Sequence, residues 1–226
     1  MPLQRVSFVV PAGEIEGILH LPEIATIGGC AVLHGYGGHP EQPHIVATCA
    51  ALADAGVAAL RFAYRDSQPP KMTLDTALVD TAGAIRLLKA HPDIPERLGV
   101  VGFSFGGTVA AITAGRDSRI RAAVLAAAPA RASPMADAQS EKWKPVAELS
   151  RTRARVLLIW GSRDNQVPIE HAERYRPVLL QARVTNKLVI IEGGNHDFEP
   201  AKARAQMAAT VADWFRESFT ETPQRG

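Results

Sequence analysis

Hydrophobic residues along the chain fall into two kinds of segment, and the two alternate. The chain opens as a hairpin: RVSFVV (5–10), a turn at Pro11-Ala12-Gly13, then EIEGILHLP (14–22). Short apolar runs follow at GCAVLH (29–34), VAALRFA (57–63), RLGVVGF (97–103), IRAAVLAAA (120–128), ARVLLIWG (154–161) and NKLVIIEG (186–193), each strand-like. Helical spacing lies between them. PHIVATCAALADAG (43–56) puts Ile45, Cys49 and Leu52 on one face and stops at Gly56. Residues 74–90 keep Leu74, Leu78, Ile85 and Leu88 in register, with Pro92 just beyond. TVAAITAGRDSR (108–119) is Ala-rich and helix-like. IEHAERY (169–175) starts a helix that Pro177 should end or kink, and residues 200–219 close the chain with Met207, Val211, Trp214 and Phe215 on one side. Only 129–152 is polar and irregular. The alternation predicts an α/β protein: a mostly parallel central sheet of about eight strands, helices on both faces, and an N-terminal antiparallel hairpin. In such a sheet the working loops lie at the carboxyl ends of the strands.

Composition narrows this picture only a little. At 226 residues and 46% hydrophobic, the chain is expected to form a single domain over 1–226 with an ample core. A net charge of +2, with the local cluster RTRAR (151–155) reading as a solvated lead-in to a strand, gives no pull toward nucleic acid or anionic membranes. Cys30 and Cys49 sit in apolar contexts and read as small buried hydrophobes, not as a disulfide or a metal pair. Neither a basic-then-apolar leader nor a run long enough to span a membrane is visible, so a cytoplasmic protein is expected, monomeric or homodimeric.

Candidate chemistry begins at VVGFSFGGTVAA (100–111). Gly102, Gly106 and Gly107 crowd Ser104 where a strand turns into a helix, and glycine weakens both kinds of element. A sharp strand–Ser–helix turn gives such spacing a use: it exposes the hydroxyl, and small flanking residues let strand and helix pack closely. A serine nucleophile needs a base, and the base an orienting acid. Of the seven histidines, His196 in EGGNHDFEP stands just past a strand near the C-terminus. Asp164 in LLIWGSRDNQVP follows one of the most hydrophobic strands; Asp66 and Asp197 are rivals for the acid. An oxyanion hole needs two backbone donors. Phe105, directly after Ser104, supplies one; Tyr36 in AVLHGYGGHP supplies the other, with His34 holding that loop or, as an alternative, acting as the base.

HGYGG (34–38), GFSFGG (102–107), GSRDNQVP (161–168) and GGNHDF (193–198) stand in that order, each after a predicted strand. In this the chain resembles the α/β-hydrolase superfamily over nearly its whole length, and within it the compact serine esterases and dienelactone-hydrolase-like members. The resemblance implies a Ser104–His196–Asp164 triad, an acyl-enzyme intermediate, no cofactor and no metal, with a small soluble carboxylic ester as substrate. Serine at 104, where true dienelactone hydrolases carry cysteine, argues against that particular activity. Larger relatives insert a helical cap where this chain has only 129–152, so a short lid is expected, with Met135 and Trp143 in it. Those two side chains are expected to line an acyl pocket, although Trp143 would serve equally as an anchor for the lid. Peptidase or acyl-peptide hydrolase, thioesterase and acyltransferase activities use the same residues and remain alternatives, as does a binding protein that kept the fold without catalysis.

Overall fold

The computed structural model describes residues 2–68, 71–131 and 143–221. Strands β1 (Leu3–Val10) and β2 (Gly13–His20) form the expected hairpin, with Val10 opposite Gly13. Then follow β3 (Gly28–Leu33), α1 (Pro43–Asp54), β4 (Val57–Phe62), α2 (Leu74–Ala90), β5 (Leu98–Phe103), α3 (Phe105–Arg116) and β6 (Ile120–Ala126). The remainder is α4 (Pro145–Leu149), β7 (Arg155–Gly161), α5 (Glu170–Gln181), β8 (Asn186–Ile191) and α6 (Ala201–Thr220).

One eight-stranded sheet runs in the order β1-β2-β4-β3-β5-β6-β7-β8. β2 is antiparallel to both β1 and β4, and the pairs from β4 to β8 are parallel. β3, β4 and β5 are buried along their whole length, which is why they read as unbroken apolar runs. Successive side chains still divide between two layers. Leu158 and Trp160 of β7 belong to the layer that also holds residues of α2, α3 and α5, whereas Leu157 and Ile159 belong to the layer that holds those of α1 and α6. Each large apolar side chain taken out of water in these layers contributes about 1.5–3 kcal/mol.

Two elements depart from expectation. Pro177 does not end its helix: α5 runs through it to Gln181. Proline removes the donor that the Glu173 carbonyl would have used, but both residues lie on the exposed face, where water can take that carbonyl. α3 starts at Phe105, so the glycine pair Gly106-Gly107 lies inside the helix instead of ahead of it. Of the expected lid, α4 is a single short helix, and residues 132–142, including Met135, lie outside the described residues.

Candidate active site

Ser104 occupies the turn between β5 and α3 with φ 52° and ψ −118°, a left-handed backbone that costs a non-glycine residue energy. Surrounding backbone holds it there. The Ser104 N–H donates to the Ala126 carbonyl at 2.8 Å, and the Ser104 carbonyl accepts from the N–H groups of Gly107 (2.8 Å) and Thr108 (3.2 Å). The neighbouring glycines are required by contact. A Cβ on Gly102 would stand 1.9 Å from the Gly106 carbonyl oxygen, and one on Gly106 would stand 2.5 Å from that of Leu33. Strand, helix and the end of β3 therefore meet at van der Waals distance, and the hydroxyl is left on the open side.

The acid and the imidazole come from the ends of β7 and β8. Ser162 N–H donates to Ile191 O at 2.9 Å, Arg163 N–H to Gly194 O at 2.8 Å, and Gly193 N–H to Ser162 Oγ at 2.8 Å. These bonds stitch the two loops together. Asp164 Oδ1 accepts from the backbone N–H groups of Gln166 (2.9 Å) and Val167 (3.0 Å), and Oδ2 lies 2.9 Å from His196 Nδ1. The carboxylate side chain is 1% exposed and the imidazole 9%. Burial pushes the Asp164 carboxyl up, but the His196 hydrogen bond, the two backbone donors and the nearby His196 charge outweigh it and leave the group below its ordinary value. A carboxylate held ionised accepts the Nδ1 proton, which leaves Nε2 as the basic nitrogen of the ring.

Beneath the β3–α1 loop lies His34, fully buried. Its Nδ1–H donates to the Gly35 carbonyl at 2.8 Å, and Nε2 accepts from the Tyr64 N–H at 3.4 Å. Burial lowers its pKa to about 4. A neutral ring with both nitrogens engaged braces the loop. Gly37 N–H, one residue beyond Tyr36, donates to Met72 Sδ at 3.4 Å, which ties the same loop to the approach to α2.

Ser104, His196, Tyr36 and Phe105 all line one cavity of about 560 Å³. Asp197 lines it too, yet the imidazole's Nδ1 partner is Asp164; Asp66 lies on the β4–α2 loop, outside the lining. Trp143 is not among the lining residues either. Its ring packs against the core beneath the Arg116 guanidinium, 4.4 Å away. Two lining histidines escaped the sequence reading: His171, near the start of α5, and His44, in the first turn of α1. The His44 ring lies tilted against that of Phe103, centroids 4.8 Å apart, and bonds the backbone of Asp197, touching the neighbours of both Ser104 and His196. Neither histidine follows a strand, and no local motif marks them. Cys30 and Cys49 are buried free thiols. Among the described residues no group of three or more His, Cys, Asp or Glu side chains is placed to hold a metal ion.

A mostly parallel sheet that presents a serine on a strained strand–helix turn, with a carboxylate–imidazole pair on two later loops, defines an α/β-hydrolase fold. Within that class the chain belongs to the dienelactone hydrolase family, whose model matches residues 15–221. Solved structures agree on the fold. The esterase domain of a Rhodothermus marinus protein superposes with a TM-score of 0.77 at 20% identity, covering 96% of this chain and all of that one. Est1E from Butyrivibrio proteoclasticus with bound ferulic acid gives a TM-score of 0.83 at 18% identity, over 96% and 100% of the two chains. A dienelactone hydrolase from Anabaena variabilis gives 0.77 at 23% identity, over 96% and 98%. No curated protein sequence matches the chain.

Proposed function

We propose that the protein is a serine carboxylesterase acting on small ester substrates. The observation that carries this reading is the 2.9 Å Asp164–His196 pair opening with Ser104 onto one cavity. In the proposed mechanism His196 Nε2 takes the Ser104 proton as Oγ attacks the ester carbonyl. The imidazolium that forms is stabilised by Asp164, and the N–H groups of Phe105 and Tyr36 hold the developing oxyanion. The amino end of α3 adds a favourable field at the same point. His196 then returns the proton to the leaving alcohol, and water, activated by the same nitrogen, releases the acid from Ser104. Serine, imidazole, carboxylate and two amides supply every proton and charge in this scheme, so it needs no cofactor and no metal, and we read 1–226 as one catalytic domain.

Thioester and amide cleavage would use the same groups. An acylaminoacyl peptidase from Pyrococcus horikoshii shares the fold, with a TM-score of 0.78, but this chain covers only 43% of it. A fluorophosphonate probe tests the central claim. It should label the wild type at Ser104 and leave Ser104→Ala unlabelled, with 4-nitrophenyl acetate and butyrate turned over only by the former. Labelling elsewhere, or equal turnover by both proteins, would remove the proposal.

A further inference from the structure

The cavity is not uniform from end to end. Ser104 follows β5, which lies between β3 and β6 in the sheet. On the β3 side the lining includes Tyr36 and the buried side chain of Leu74, with Gln42 and His44. Beyond β6 and β7 it brings Arg131, Gln166 and His171 together beside Pro129 and Val167. A substrate seated on Ser104 therefore has one end beside three side-chain hydrogen-bond donors.

His171 sets the character of that second end. Its Nδ1 accepts from the Ala130 N–H at 2.9 Å. Nδ1 is thus unprotonated, and in the neutral ring Nε2 carries the hydrogen. Burial, followed by the Arg174 charge, holds the imidazole below its ordinary value, so the neutral tautomer prevails at neutral pH. Thr108 and Tyr175 direct their hydroxyls to the Pro129 carbonyl, at 3.1 and 2.8 Å. These bonds and the one from Ala130 to His171 fix Pro129 and Ala130, the residues next to Arg131. Gln166 is fixed through its backbone, whose N–H bonds the Asp164 carboxylate. The carboxylate among the described lining residues is Asp197, next to His196 in the chain; Glu170 neighbours His171 but does not line the cavity.

We propose that this end is a specificity subsite for an oxygen acceptor on the substrate, with the His171 Nε2–H as principal donor. The enzyme then prefers esters that carry an ether, hydroxyl, carbonyl or carboxylate oxygen a few bonds from the scissile group over apolar esters of the same length. This rests on the serine-esterase reading. Two isosteric series test it. With the acyl group varied, the substrates are 4-nitrophenyl pentanoate, 4-nitrophenyl 3-methoxypropanoate and mono-4-nitrophenyl succinate. With the alcohol varied, they are butyl acetate, 2-methoxyethyl acetate and 3-acetoxypropanoate. All rates are normalised to hydroxide-catalysed hydrolysis.

In at least one series an oxygen-bearing ester should exceed its apolar isostere by about tenfold in kcat/KM, the discrimination expected of a half-buried donor left unpaired by the wrong substrate. His171→Asn keeps an acceptor for the Ala130 N–H while withdrawing the outer donor, so the ratio should fall toward one. His171→Gln reaches further with an amide N–H and should restore part of it. A larger ratio for the carboxylate than for the ether, abolished by Arg131→Ala, would identify an anionic acceptor; the ether ahead would identify a neutral one. The proposal is overturned if the apolar esters win in both series, or if His171→Asn leaves the ratio unchanged. Hydrolysis of none of the six esters, together with no fluorophosphonate label on Ser104, would instead overturn the esterase reading beneath it.

Discussion

The centre of the site and its rim are built by different means. At the centre, main-chain contacts do the fixing. Ser104 bonds three backbone partners, Asp164 accepts two amide protons besides His196, and the His34 ring has both nitrogens engaged with backbone. At the rim, Arg131 and Gln166 are exposed, and selectivity falls to side chains standing on loops. Attack on a carbonyl tolerates misplacement of only a fraction of an ångström, and backbone packing can hold that tolerance. Choice among substrates tolerates more, and loop side chains can change without disturbing the frame beneath them.

The largest test of this contrast removes one atom from the centre. Ser104→Ala should cost roughly 10³-fold or more in kcat while the protein remains folded, because the bonds that hold the turn run through the Ser104 backbone and survive the substitution. Arg131→Ala at the rim should change kcat/KM for apolar esters by about tenfold at most. Comparable losses in the two variants, measured on 4-nitrophenyl butyrate, would erase the distinction.

Asp164→Asn tests the same centre through the proton. The amide preserves shape but favours an Nδ1 acceptor, which turns the basic nitrogen of His196 the wrong way; a loss of roughly 10²–10⁴-fold in kcat is expected. If Asp197→Asn or Asp66→Asn proved the damaging change and Asp164→Asn mild, the acid would be one of those two carboxylates instead.

Much of the centre was legible in the sequence because its parts are local. A serine between close-set glycines, and an aspartate and a histidine each just past an apolar run, are readable where strands end. The elements were legible for the same reason: periods of two and of 3.6 are properties of neighbouring residues. What escaped depends on contact between distant segments. No pattern in β4 announces that it lies between β2 and β3. His171 reads as a helix residue until Ala130, 41 positions earlier, is brought to its ring. The Arg116 guanidinium over Trp143 likewise comes from 27 positions away and has no local signal. That α5 continues past Pro177 is not legible locally either, because a proline's cost depends on whether water reaches the carbonyl it abandons, and exposure is a tertiary property.

Buried imidazoles give a smaller effect that pH should reveal. Burial is the main cause that lowers His20, His34 and His44 to about 4, against 6.5 in an unfolded chain. Between those values the unfolded state binds more protons, so stability is full above pH 6.5 and declines as pH falls toward 4. Asp80, raised chiefly by its burial, acts in the opposite sense, while the carboxyls held below their ordinary values matter only at the acid end of this window. Urea unfolding at pH 7, 6, 5 and 4.5 should show a loss of a few kcal/mol with a slope set by more than one proton. His34→Gln, which no longer titrates, should flatten that slope whatever it costs at pH 7. An unfolding free energy independent of pH across the window would mean that these rings are not buried neutral.

The smallest expected effect belongs to Trp143, and it bears on where the rim ends. The ring is partly buried against the core, the Arg116 guanidinium covers it at 4.4 Å, and Arg116 is itself paired with Glu148 at 2.6 Å. Trp143→Ala removes apolar contact and a cation–π pair at a site that is only partly desolvated, so a loss of about 1–3 kcal/mol is expected, below that of a fully buried tryptophan. Arg116→Ala removes the stack and the Glu148 ion pair together, so the cost of Trp143→Ala is the cleaner reading of the ring's own contact. Because Trp143 does not line the cavity, the ratio of kcat/KM among acetyl, butyryl and hexanoyl esters should be the same in Trp143→Ala and wild type, even as the unfolding midpoint drops. A shift of that ratio toward longer acyl chains at unchanged stability would show that the tryptophan closes the acyl pocket, and that the rim reaches from α5 across to the foot of α4.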